Sequence, residues 1–233
     1  MRDRSKVLRL LTDGWCAPGE QLIFLVGGEH KPGWFGATLG NTRQVPYLPQ
    51  QDDGLQPPWP LVNARLSAGE FMADEWVHDP AVWGWFHTDN PGRAAAQCGD
   101  ALSRGKHFSW LACSNRRLAV IVEADARADA LKAAEQQKAS EGEESSGLLG
   151  GLFGKGKAKG EDDQPRAPQH PAGPIETWWE IPIPHVGRFT SAERGRGGEP
   201  VEFFGIQFAD NSVLEFRLIN APDLVETAYL NLR

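Results

Sequence analysis

The sequence predicts a mainly β domain with some helix: a small β-barrel or sandwich capped by a C-terminal helix and interrupted by a flexible stretch. Three observations predict it. Residues 177–233 read as a run of short strands ending in one amphipathic helix. Directly before them, residues 124–174 hold one phenylalanine and no tryptophan, amid Ala, Glu, Lys, Gln, Gly and Ser. Compact apolar runs at 21–26 and 118–122 suit buried strands.

Taken in order, Val7, Leu8, Leu10 and Leu11 place a broad apolar side on a helix over 4–13, which Ala17-Pro18-Gly19 stops. The run 21–26, bounded by Gly19 and Gly27-Gly28, is a strand. Between 28 and 90 the chain is rich in glycine, proline and tryptophan. Pro46, Pro49, Pro57, Pro58 and Pro60 forbid long regular elements there. Yet Trp34, Trp59, Trp76, Trp83 and Trp85 are too many for a disordered segment, so irregular but ordered structure is expected. Ser67 and Glu70 offer a capping box for a short helix through Trp76. Residues 91–103, with Ala94, Ala95 and Ala96, predict another helix capped by Asn90.

Residues 107–123 predict two strands joined by a tight turn near Ser114-Asn115. In 124–174, the part over 125–139 is helix-prone. The remainder buries too little apolar area to offset its ordering entropy and is expected to be disordered. Strands follow at 178–183, cut by Pro182 and Pro184, then at 187–192 and 201–208, the last with Phe204, Ile206 and Phe208 on one face. Asp210-Asn211 turns the chain into 213–218, where Leu214, Phe216 and Leu218 oppose Glu215 and Arg217. Asn220 caps the closing helix, Pro222 sits in its first turn, and Leu224, Val225, Ala228, Tyr229 and Leu232 form its stripe.

Several of these pieces match a known pattern. Asn115-Arg116-Arg117-Leu118-Ala119-Val120 resembles the strand pair of bacterial PH-like domains. Trp179-Glu180-Ile181-Pro182-Ile183-Pro184-His185-Val186 looks like the strand that follows it. Phe204-Gly205-Ile206-Gln207-Phe208-Ala209-Asp210-Asn211-Ser212 resembles the family's late hairpin, and Gly19-Glu20 fits its opening. The resemblance covers about half the chain. It implies one discontinuous domain, 1–123 plus 175–233, with an ordered insertion at 28–104 and a disordered linker at 124–174. Both interruptions depart from the family pattern. It also implies a non-enzymatic module that binds proteins, peptides or lipid headgroups.

The bulk numbers narrow the partners. A net charge of −7 argues against a protein that lives on phosphate contacts, so no nucleic acid is expected, and it does not favour an anionic membrane surface. Cys16, Cys98 and Cys113 are an odd set without CxxC spacing, which reads as reduced thiols in a cytoplasm. No apolar run approaches the ~18 residues that span a bilayer, and no signal peptide is read at the start. No cofactor is expected.

Candidate sites are sparse. Leu148, Leu149, Leu152 and Phe153, followed by Lys155, Lys157 and Lys159, form an apolar-then-basic motif inside the polar linker. It reads as a partner-docking motif, a shallow membrane contact or an idle piece of linker. Glu161, Asp162 and Asp163 directly after it oppose the membrane reading. Residues 151–157 fit GxxxxGK, but Ala158 stands where a Ser or Thr would hold magnesium and no strand precedes, so a phosphate loop is rejected. His78-Asp79 and His87-x-Asp89 bring imidazoles and carboxylates together; caps and turns compete with a metal-dependent hydrolase there. Cys98 or Cys113 with His107 is a weak nucleophile–base pairing. Trp76, Trp83 and Trp85 read as core or as a ligand-lining surface. Arg188, Arg194 and Arg196 read as a solvated hairpin or as an anion contact for a phospholipid. The expected function is therefore a scaffold acting on an unidentified protein partner. The alternatives are a peripheral membrane protein or a metal-dependent hydrolase.

Overall fold

Among the described residues, ten strands and four α-helices follow one another in an order set by where the apolar residues fall. The computed structural model describes residues 3–28, 34–44, 47, 77, 81–133, 174–195 and 199–232. Helix α1 (Arg4–Leu10) begins at an Asp3 cap whose carboxylate accepts from the Lys6 N–H, and it runs into a π-turn at Leu11–Trp15. The strands are β1 (Leu22–Gly27), β2 (Trp34–Leu39), β3 (Thr42–Gln44) and β4 (Val82–Thr88). Helix α2 (Ala94–Gly105) precedes β5 (Ser109–Ser114) and β6 (Arg117–Val122). After a helical stretch at 124–133 come β7 (Glu176–Pro182), β8 (Val186–Arg194), β9 (Val201–Phe208), β10 (Val213–Arg217) and helix α3 (Ala221–Asn231).

The strands form two sheets, ordered β1-β5-β6-β7 and β3-β2-β4-β10-β9-β8. All neighbours are antiparallel except β2 and β4, which run parallel. No ladder among the described residues joins one sheet to the other, so the expected barrel is open and the architecture is two sheets packed around a shared core. The Phe24 ring of the first sheet meets Phe189 and Phe204 of the second edge-on, at 5.7 and 5.5 Å. Phe204, Phe208 and Phe216 are essentially sealed from solvent, and burial of each contributes about 1.5–3 kcal/mol.

Helix α2 packs against both sheets, and its side chains explain how it fits. Ala94, Ala95, Ala96, Cys98, Gly99 and Ala101 are small and buried, which permits a close approach. At Gly99 a Cβ would lie 2.5 Å from the Phe86 ring, so only glycine fits. The predicted Asn90 cap is not the cap. Asn90 accepts from the Gly92 N–H, while the helix N-terminus is closed from across the domain. The Ala94 N–H donates to Asp210 Oδ2 at 2.8 Å and the Ala95 N–H to Ser212 Oγ at 3.0 Å. The β9–β10 turn thus supplies two acceptors for amides that a helix start leaves unpaired.

The outer face of the first sheet is covered by α1, whose Val7 and the following Leu11 pack with Leu25, Trp110, Ala112, Ala119 and Ile121. A polar lock anchors this corner. Buried Glu20 accepts from Ser114 Oγ at 2.6 Å, from Arg117 Nε at 2.9 Å and from the Ala17 N–H at 2.9 Å. The Arg117 guanidinium also donates to Glu180 and to the Trp15 carbonyl, and it stacks 3.9 Å from the Trp15 ring centroid.

The stretch between β6 and β7 is the loop of a hairpin: Val122 pairs with Glu176 across the two strands. At the same place Arg104 and Arg127 each lie about 5 Å from the Trp178 ring.

Candidate functional site

Helix α3 is seated by Ala221, Leu224, Val225, Ala228 and Leu232, all of which pack on the shared core. Asn220 is its N-cap residue, as expected, in the left-handed conformation (φ 63°), but its side chain makes no capping bond. The Ala221 N–H instead donates to Glu202 at 3.2 Å. Just before this sharp entry, Ile219 is 84% exposed. Leu230 is 64% and Tyr229 41% exposed, and among the described residues these three are the exposed large hydrophobics. Scattered exposed leucines are ordinary, but here all three fall on one short segment.

Beside this segment lies a cleft of about 410 Å³ between the end of β1, α1 and α3. Leu25, Val26 and Trp110 form one wall, and Ile219, Asp223 and Leu224 belong to the other. Arg4 reaches over from α1 and donates to the Leu25 carbonyl at 3.2 Å. The volume lies in the range of small-molecule or side-chain pockets. Asp223, Glu226 and Leu230 follow at helical spacing and share one outward face, so the surface next to the cleft is apolar and acidic.

A second depression, about 360 Å³, is lined by His87, Thr88, Asp89, Arg93 and the 210–212 turn. Its charges are already engaged. Arg93 holds Asp89 in a bidentate pair at 2.9 and 2.8 Å and donates to the Asp210 carbonyl. Burial raises the Asp210 carboxyl, but the Ala94 N–H and the Ser212 bonds outweigh it and hold the group below the usual range. Burial lowers His87, against the raising effect of Glu215, and keeps the imidazole neutral near pH 7. No three His, Cys, Asp or Glu side chains among the described residues gather as metal ligands.

The other sequence candidates fall as follows. Leu148, Leu149, Leu152, Phe153, Lys155 and Lys157 lie outside the described residues, as do Trp76, His78, Asp79 and Arg196. Trp83 is in the core, with its indole N–H on the Arg217 carbonyl. Trp85 is buried on the outer face of the second sheet, where it donates to Thr38 and lies under Arg43. Arg188 and Arg194 are both on β8; Arg188 donates to Gln207 at 2.6 Å and Arg194 pairs with Glu215. Cys98 and Cys113 are buried; desolvation raises both thiols, Cys113 to about 12. Such thiols stay protonated and are poor nucleophiles at neutral pH.

Sequence reasoning missed the cleft. The signal for its rim was present: Ile219 is an apolar residue that does not belong to the core stripe of α3, and Leu230 farther along the helix is another. The walls were not legible, because Leu25, Trp110 and Leu224 come from three distant segments. No helix among the described residues is long and apolar enough to cross a membrane. No family model, curated protein or solved structure matches the chain.

Proposed function

We propose that the chain is a PH-like domain serving as a non-enzymatic binding module, through protein–protein contacts made by α3 and the cleft beside it. The fold reading draws support from the connectivity. A meander of β1, β5, β6 and β7 turns a corner into the meander β8, β9 and β10, and α3 closes the chain. In this reading β2, β3, β4 and α2 are an insertion that widens the second sheet. The observation that carries the function is the exposure of Ile219, which lines the cleft, and of Leu230 farther along, on α3, since apolar side chains kept in solvent beside a pocket mark contact surfaces. A cytoplasmic setting belongs to the same reading, on the support of three free cysteines.

The test is affinity capture with the full chain and with an Ile219→Ser/Leu230→Ser variant. Both positions are exposed, so the variant keeps the fold. The expected result is a protein held by the parent chain and lost with the variant. An identical partner set for both overturns α3 as the contact surface.

A further inference from the structure

We infer that the cleft and the outward face of α3 receive a segment of this same chain, residues 148–159. This rests on the reading of α3 as a binding surface and names an occupant for it. Three observations converge. The first is chemistry. The surface offers exposed Ile219 and Leu230 beside Asp223 and Glu226, and the segment offers Leu148, Leu149, Leu152 and Phe153 followed by Lys155, Lys157 and Lys159. Apolar meets apolar, and lysines meet carboxylates. Arg4, the cation on the opposite wall, has its guanidinium turned to the Leu25 carbonyl, so the acidic side of the cleft is the α3 side.

The second is where the chain returns. Ile175, at the end of the linker, packs in the apolar cluster that contains Trp110, and Trp110 also lines the cleft. The third is reach. The stretch from Lys159 to Pro174 alone extends to ~50 Å, more than the ~30 Å breadth of a small domain. Tethering at that distance sets an effective concentration in the millimolar range, so a weak contact is enough to keep the site filled.

The test is limited trypsin digestion of the full chain, read residue by residue in mass spectrometry. In the parent chain, cleavage after Lys155, Lys157 and Lys159 is expected to be ~tenfold slower than in an Ile219→Ser/Leu230→Ser/Asp223→Lys/Glu226→Lys variant, the factor for a segment docked ~90% of the time. Cleavage after Lys138 and Arg166, on either side of the segment, is expected to be equal in the two. Equal rates at 155–159 overturn the inference. A photo-crosslinking residue in place of Phe153 gives an independent reading. Crosslinks to 219–230 within a monomer support docking, while crosslinks only between two chains, or elsewhere, overturn it. The capture experiment separates the two claims. A partner lost with the α3 variant while trypsin rates stay equal sinks only the self-docking. Unchanged capture with accelerated cleavage sinks the partner surface and leaves the self-docking standing.

Discussion

The Tyr229 hydroxyl and the Phe189 backbone exchange two hydrogen bonds: the hydroxyl accepts from the Phe189 N–H at 3.2 Å and donates to its carbonyl at 3.0 Å. Phe189 lies in β8, the last strand of its sheet, so a side chain of α3 satisfies backbone groups that a neighbouring strand would otherwise take. Tyr229→Phe keeps the ring and removes both bonds. The expected loss is about 1–2 kcal/mol in urea unfolding, with faster hydrogen exchange at the Phe189 amide. Unchanged exchange there refutes the clasp.

Glu20 gives the pH prediction. Burial raises its carboxyl, but the hydrogen bonds from Ser114, the Ala17 N–H and Arg117 outweigh this and hold it below the usual value. A carboxyl depressed in the folded state adds stability above its unfolded value of about 4.3. That contribution is lost as pH falls through the folded value. Glu20→Gln should cost about 2 kcal/mol at pH 7, since it leaves Arg117 and Ser114 poorly paired. It should also flatten the decline in stability between about pH 5 and 3. A variant as steep as the parent in that window means that another group governs acid unfolding.

Asp210→Ala tests the cap made from a distance. Removing the acceptor of the Ala94 N–H should lower stability by about 1 kcal/mol, and Asp210→Ala/Ser212→Ala by about 2 kcal/mol. Asn90→Ala, at the position that local sequence favours as the cap, should cost less than either. The reverse ranking in denaturant titrations counts against the structure at this point.

That contrast shows what the sequence carried. Elements whose information is local were legible: the 201–208 strand has the same limits in the structure, and the Ser114-Asn115 and Asp210-Asn211 turns fall where they were read. The cap of α2 was not legible, because its acceptors lie more than a hundred positions away. The strands β2 and β4 were hidden for a related reason. Their parallel pairing brings Gly36 and Ala37 alongside Trp85 and Phe86, and the reward for placing those residues appears only after a long segment has looped back. The candidate site failed in the same way, since its walls are assembled from three distant segments.

The linker gives a fourth prediction. Because it closes the β6–β7 hairpin at Val122 and Glu176, replacing residues 134–173 with about eight Gly/Ser residues should preserve the fold. Shortening the loop reduces the entropy of closing it by about 1 kcal/mol, and losing the docked 148–159 segment removes a comparable stabilisation. Differential scanning calorimetry should therefore read a Tm within a few degrees of the parent. A fall of several degrees means that the removed residues hold the domain together.

The position of β10 has a consequence for how the molecule is made. It lies between β4 and β9 in the middle of its sheet, yet among the described strands it is the last in sequence, and the turn before it also closes α2. Strand β4 is made more than a hundred residues before β10, so the edge that β10 covers stays unpaired until β10 is made, a long-range pairing of the kind that forms slowly. A chain cut before residue 213 therefore has its second sheet divided in two, β3-β2-β4 on one side of the gap and β9-β8 on the other.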